Sequence, residues 1–397
     1  MAKDMRSGMG RGLAGEAAPE VAPEATPEAD WDRRGLPARA YTDPGIFALE
    51  QDRLFRRHWQ IAGHVSDLPE PGDYVTLDLA GERAVVIRGH DGAIRAFHNI
   101  CRHRGTRIAA GEAGRCNKAL VCPFHGWAYN LDGTLRGVAE RQSFPPMDRA
   151  AWGLKPIELE IWQGFLFVRF APSDQPAVAE IMAPYVPDFA AFDVPSMVRI
   201  PQNDWQDRVP ANWKSLRDVD NEGYHVRQAH PALHDLYGDG YSDGAWSGFT
   251  SRSDGLFNPG PGRLWSVRAY KALLGASPVA GAAARRWSYY NLFPNTVIGL
   301  YPDSVTWYQE IPVSPGETIQ RGRAYRFPTE SRGLRALRYL SGRIDRITAA
   351  EDHDLCVWAW EATQSATGYD GMILSDLERG VRSFHDLWRQ AIPEGAD

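Results

Sequence analysis

The 397-residue chain is 43% hydrophobic and 24% charged, the balance of a globular protein long enough for two ordinary domains. Its 50 acidic and 44 basic residues leave a net charge of −6, without the basic excess that a nucleic-acid surface needs. No run of about 18 apolar residues occurs, so no membrane span is expected.

In chain order, "GEAAPEVAPEATPEAD" lacks the basic-then-apolar pattern of a secretory leader. Its Ala/Pro/Glu composition predicts a disordered tail over residues 1–30. Within 31–59, "TDPGIFALEQDRLFRRHW" predicts a helical segment, with Asp43 as N-cap and Pro44 in the first helical position. Residues 60–172 read as an all-β unit. Here "GDYVTLDL", "ERAVVIRG", "AIRAFHN", "IELEIWQ" and "FLFVRF" are β-branched or alternating runs, punctuated by the turn signals "EPG", "HDG" and "LDG".

Residues 173–397 read as α+β. Helices are expected at "PAVAEIMAPYVPDF" and "KSLRDVDNEGYHVRQAH", and closing helices at "RGLRALRYLSGRIDRITAAEDHDLCVWAWEAT" and "DLERGVRSFHDLWRQAI". Strands are expected at "SYYNLFPNTVIGLY" and "VTWYQEIPVS". Four cysteines are too few for a disulfide framework and suit a reducing cytoplasm.

Residues 101–127, "CRHRGTRIAAGEAGRCNKALVCPFHGW", hold two clusters, Cys101-x-His103 and Cys122-x-x-His125. Thiolate and imidazole ligands suit zinc or iron–sulfur chemistry, but a Cys-x-His pair is tight for a single zinc ion. The spacing suits two loops that each give a Cys to one iron and a His to the other, which is a Rieske [2Fe–2S] centre. The 18 residues between His103 and Cys122 allow a strand out and back. Gly105 and Gly126 follow each His where the backbone must wrap a cluster. Cys116 and Cys356 are expected to be structural.

A second candidate lies in "NWKSLRDVDNEGYHVRQAHP". His225 and His230, five residues apart, would point about 140° apart on an unbroken helix. Pro231 disfavours helical geometry at His230 and frees it to turn. Two His need one carboxylate to form the facial triad of non-haem Fe(II) sites. In "TAAEDHDLCVWAW" both Asp352, sharing a helical face with Leu355, Cys356 and Ala359, and Asp354, alongside Val357 and Trp358, are candidates.

"CRHRG…CPFHGWAYNLDG" closely resembles the Rieske signature, and "NWK…EGYHVRQAHP" followed about 120 residues later by "ED" resembles the catalytic domain of Rieske non-haem iron oxygenases, the ring-hydroxylating oxygenase α-subunit family. The resemblance implies an all-β Rieske domain over 60–172, then an α+β, helix-grip-like catalytic domain with an antiparallel sheet over 173–397. It assigns Cys101, His103, Cys122 and His125 to the [2Fe–2S] cluster, and His225, His230 and Asp352 to a mononuclear Fe(II). Glu222 matches the acid that bridges the iron-ligand His to the second cluster His, His125 here, of a neighbouring subunit, which implies a homotrimer. Many ring dihydroxylases have Asp at this place; Glu is similar to the bridging residue of oxygenases that attack carnitine and betaine. The upstream acid–Asn pair of the family is Asp218-Val219 here, leaving Asp218 as a second relay candidate.

The reaction implied is O₂ activation with electrons from NAD(P)H, delivered by a flavin/iron–sulfur reductase directly or with a ferredoxin between. The outcome would be hydroxylation or oxidative demethylation of a small organic substrate. An aromatic acid would want a cationic anchor, from Arg252, Arg263 or Arg268. A quaternary ammonium compound would want an aromatic cage, from Tyr289, Tyr290, Trp307 or Tyr308. The competing reading is a Rieske electron-transfer protein, or a degenerate oxygenase without a working mononuclear iron; the His pair in the second domain speaks against it.

Overall fold

After a first short helix, Ala38–Thr42, the expected Asp43 cap starts the next: its carboxylate accepts the N–H groups of Gly45 and Ile46 at 2.6 and 3.1 Å. This helix, Pro44–Glu50, passes directly into a π-helical turn, Gln51–Phe55. The chain is described by a computed structural model over residues 31–395, so the tail expected over 1–30 lies outside the described residues.

The β unit is built from three antiparallel sheets. Asp73–Leu79 and Glu82–Arg88 form a hairpin flanked by Ile94–His98 and Ala113–Arg115. A small sheet joins Leu120–Val121, Ala128–Tyr129 and Leu135–Gly137. The third pairs Gln60–His64 with the returning hairpin Glu158–Trp162 and Phe165–Arg169. The turn signals "HDG" and "LDG" fall between paired strands, as expected. Cys101, Cys122, Trp127 and Tyr129 share a core with Val85, Ile87 and Phe97, so both cysteine-bearing loops rest on the central hairpin.

The following α+β unit is organised on one antiparallel sheet. Tyr241–Asp243, Thr250–Leu256, Arg286–Leu292, Thr296–Tyr301, Ser304–Ser314 and Glu317–Arg326 pair in sequence, and Val198–Arg199 and Trp205–Val209 both pair with the last of these. A 32-residue helix, Arg332–Thr363, is capped by the Ser331 hydroxyl and packs against Trp213–Asp220, Pro231–Tyr237 and Trp265–Leu273. Among the described residues no helix is long and apolar enough to cross a membrane.

The segment "KSLRDVDNEGYHVRQAH" is helical only in pieces. Trp213–Asp220 ends at Asn221, whose backbone and side-chain N–H groups both take the Arg217 carbonyl (2.9 and 2.7 Å). A turn follows, then Val226–Ala229, then Pro231–Tyr237. Helix Trp213–Asp220 is anchored from within: Lys214 and Glu50 are both fully buried, with Nζ–Oε1 at 2.6 Å. Glu50 also accepts Trp213 Nε1 at 2.9 Å and Trp388 Nε1 at 2.7 Å, while the ammonium lies over the rings of Tyr41, Trp213 and Trp388. Removing one member of a buried ion pair strands the other. Lys214→Met should therefore lower unfolding free energy by about 3–5 kcal/mol, and Glu50→Gln in the same chain should recover part of the loss, both read from urea unfolding curves.

Candidate metal centres

The two cysteine loops have the same backbone bonding. Cys101 N–H donates to Thr106 O and Cys122 N–H to Trp127 O, both at 2.8 Å; Gly105 and Gly126 donate back to the Cys101 and Cys122 carbonyls at 3.0 and 3.1 Å. Each glycine sits at positive φ, +75° and +70°, which a side chain would disfavour. The cysteines lie inside, 2% and 3% exposed, while the histidines stand at the outer edge. The His103 and His125 rings are 4.7 Å apart, and His103 stacks on Trp127. Tyr129 accepts Arg102 N–H at 2.9 Å and stands 3.4 Å from Cys101 Sγ. All four cysteines are free, and His125 Nδ1 is buried without a hydrogen-bond partner. Two inward thiols, two outward imidazoles and an orphaned ring nitrogen fit a [2Fe–2S] cluster with mixed Cys/His ligation.

In the second unit the chain break after Asp220 brings the two distant histidines together. His230, at φ −118° and ψ 81°, has left the helix before Pro231 as expected. His225 Nε2, His230 Nε2 and Asp352 Oδ1 form the metal-ligand group among the described residues, all within 4.8 Å of one another. The edges are 3.0 Å between the rings, 2.9 Å from His230 to Asp352 and 3.6 Å from His225 to Asp352. Ligands about 2.1 Å from one metal and at right angles would stand about 3 Å apart, which two of the three edges meet. Asp352 Oδ1 is buried with no hydrogen-bond partner, as a carboxylate turned toward a metal would be. The set fits a facial triad. Of the two acids left open by the sequence, Asp354 is exposed and outside the group. The inward face is narrower than expected: Cys356 is buried, but Ala359 is exposed.

Each imidazole is also held from behind. Glu222 Oε1 accepts His225 Nδ1 at 2.5 Å, while its Oε2 accepts the His225 backbone N–H at 3.1 Å. Glu351 Oε2 accepts His230 Nδ1 at 2.8 Å. Burial alone would lower the His225 pKa, but Asp352 and Glu222 outweigh it and hold the ring at about 10. Burial likewise would raise Asp352, and the two imidazoles instead hold it below the usual carboxylate range. Glu351 was missed by the sequence reading, where only its adjacency to Asp352 marked it. Asp220 was missed too. It is bound by Arg217 Nη1 at 3.0 Å and pushed up to about 6 by burial, against Arg217 and with Asp352 adding to the rise.

Asp218 is directed elsewhere. Its oxygens accept the Tyr41 hydroxyl at 2.6 Å and His385 Nε2 at 2.8 Å, which ties the helix to the chain's two ends. Strand alternation divides the aromatic candidates. Tyr289 and Tyr308 share the sheet face of Asn291, which bonds Arg217 at 2.5 Å. Tyr290 and Trp307 point to the opposite face. Arg252 is neutralised by Asp188 and Asp254 at 2.9 and 2.7 Å. Arg268 donates to the Arg263 carbonyl at 3.2 Å.

Residues 58–148 match the Rieske [2Fe-2S] domain, and residues 196–394 match the ring hydroxylating alpha subunit catalytic domain. The chain belongs to the ring-hydroxylating alpha-subunit family. It is 36% identical over 198 residues to the glycine betaine monooxygenase oxygenase subunit of Chromohalobacter salexigens, covering 50% of this chain and 43% of that protein. It is 35% identical over 206 residues to the carnitine monooxygenase oxygenase subunit of Escherichia coli K12, covering 50% and 53%. The chain thus spans about half the length of the curated relatives it matches. A solved quaternary ammonium Rieske monooxygenase superposes with a TM-score of 0.76 at 23% identity, over 90% of this chain and 95% of that one, and shares its fold.

Carboxylates behind metal-bound imidazoles typically contribute 10–100-fold in metal affinity. Glu351→Gln should therefore weaken Co(II) binding at the triad by about 10–100-fold, followed by visible absorption, with the Cys/His centre unaltered.

Proposed function

We propose that the chain is the terminal oxygenase component of a Rieske-type multicomponent oxygenase, acting on a small quaternary ammonium compound. The observation that carries this reading is the pairing, in one chain, of a Cys₂His₂ double loop with a separate 2-His-1-carboxylate triad whose rings are both backed by acids. A carrier lacking catalytic iron has no use for such a triad, so that reading is not favoured. In the proposed division, residues 60–172 hold the cluster and 173–397 the mononuclear iron. When loaded, the cluster supplies single electrons and the iron activates dioxygen.

The protein's own part is positioning. His225, His230 and Asp352 would take one face of the iron and leave the opposite face open. Glu222 and Glu351, accepting from each Nδ1, set the tautomer that presents Nε2 inward. Substrate would sit beside the iron, held by the pocket wall. Two features support a cation over an aromatic acid there: Arg252 is already neutralised, and the triad side of the sheet carries phenol rings. Tyr289 lies against Tyr237 and Tyr301, and near them Asp345 is pushed up to about 7 by burial with Tyr301 opposing. Phenol faces attract a desolvated cation by about 2 kcal/mol or more. The relatives' names, glycine betaine and carnitine monooxygenase, agree with that class. Hydroxylation of an N-methyl carbon would end in loss of formaldehyde.

The assembly we propose is a homotrimer in which His125 of one copy meets Glu222 of the next, fed by a flavin/iron–sulfur reductase and NAD(P)H in the cytoplasm. Exposed aromatic residues lie close to both partners of this contact: Phe124 is 52% exposed beside His125, and Tyr224 60% exposed two residues after Glu222. His225→Ala should abolish substrate-dependent oxygen uptake and formaldehyde release while leaving the visible cluster spectrum intact; a lost spectrum would separate neither site from the other. Glu222→Gln should slow single-turnover electron delivery at least tenfold with three irons per chain retained, measured by stopped-flow bleaching, and an unchanged rate would remove the bridging role.

A further inference from the structure

On the sheet face turned away from Tyr308, strand Glu317–Arg326 presents Arg321 and Arg323, which are 8% and 5% exposed. Arg321 has only neutral partners: Nε and Nη2 donate to Gln309 Oε1 at 3.4 and 3.1 Å, and Nη2 to the Ile61 carbonyl at 3.0 Å. Among the described residues no carboxylate reaches ion-pair range of it. Arg323 has one, Asp67, at 3.0 Å from its Nη1, but Asp67 also accepts the Tyr325 hydroxyl and lies 3.8 Å from Arg199. Asp204 is committed to Arg199, with Nε to Oδ2 at 2.9 Å. Trp307, with its ring centre 5.3 and 5.7 Å from the two guanidinium carbons, offsets part of the charge. Burial, with Arg323 alongside, pushes Arg321 down to about 9.

A buried charge without a counter-charge is costly, and this one does not stand in closed packing. Arg321, Arg323 and Trp307 wall a cavity of about 190 Å³, with Glu112 at its margin, exposed and paired with neither arginine. Among the described residues Arg321 Nη1 and Arg323 Nε and Nη2 have no hydrogen-bond partner, and these three nitrogens are free to donate to an occupant. We infer that this cavity is a binding site for a small oxyanion, inorganic phosphate or a short carboxylate, held between Arg321 and Arg323 and separate from both metal centres.

Gln206 lies directly across the strand pair from Arg321 and is exposed, so Gln206→Glu delivers a carboxylate to the site without touching the buried arginines. The metal-loaded full chain is titrated by calorimetry with phosphate and, separately, with acetate, at ionic strength held constant with chloride. One saturable site per chain is expected for at least one of the two, and which one binds names the source. Gln206→Glu should bind at least tenfold more weakly and, in anion-free buffer, melt at a higher temperature than the parent. Absence of saturable binding by the parent overturns the site, and so does equal binding by Gln206→Glu. A lower melting temperature for Glu112→Gln without anion uptake overturns it as well, assigning the counter-charge to Glu112.

Discussion

The fully buried contact between Glu50 and Lys214 is the constraint on which the placement of the iron-site candidates rests. It joins helix Pro44–Glu50 to the helix that leads into the His225–His230 turn, and Trp388 of the last helix donates to the same carboxylate. Desolvating each ion costs several kcal/mol, and each charge-assisted hydrogen bond returns about 1.5–3 kcal/mol. With three donors on Glu50 and three aromatic rings around the ammonium, the balance is near neutral. Its value is therefore in position more than in stability. With Lys214 held on Glu50, the same helix presents Arg217 to Asn291 of the sheet.

From that fixed helix the site follows by short steps. Asn221 ends the helix on the Arg217 carbonyl, and Gly223 lets the turn pass under the Tyr241 ring, where a Cβ would stand 2.0 Å from a ring carbon. Pro231 then holds His230 outside helical geometry, so its Nε2 meets that of His225 rather than diverging from it. The third ligand candidate arrives from a helix packed alongside, which carries Glu351 and Asp352 on adjacent positions. One acid serves as a ligand candidate and the other holds the ring of His230.

Much of this was legible because it rests on local chemistry. The Asp43–Pro44 helix start, the hairpins of the β unit, the paired Cys/His loops with their glycines and the Pro231 escape are all dictated within a few residues. What was not legible depends on partners far away in sequence. Asp218 and Asp220 look equivalent in "RDVDNE", yet one faces Tyr41 and His385 and the other lies beside the triad. Strands such as "TSRSDGL" and "ETIQRGRAYR" carry no apolar alternation, because buried positions hold polar side chains, Thr250, Ser251 and Ser253 in the first and Thr318, Arg321 and Arg323 in the second. The four aromatic candidates on neighbouring strands could be sorted only once the register was known, since a shift of one residue exchanges the faces.

Charge explains why that sorting matters for the chemistry. Around His225 and His230 stand Glu222, Glu351 and Asp352, with Asp220 close by, and the guanidinium that pairs with Asp220, Arg217, is shared with Glu310. In the neutral form that ligates a metal, the two imidazoles would leave that many acids unbalanced. A divalent cation at the triad would answer most of that excess. On the opposite face Arg321 and Arg323 flank Trp307, and among the described residues only Arg323 has an ion-paired carboxylate, Asp67. The sheet thus separates an acid-rich side that would hold a metal from a side on which Arg321 is buried without an ion-paired carboxylate. A strand that alternates its side chains residue by residue is what allows Tyr308 and Trp307, adjacent in sequence, to belong to environments of opposite sign.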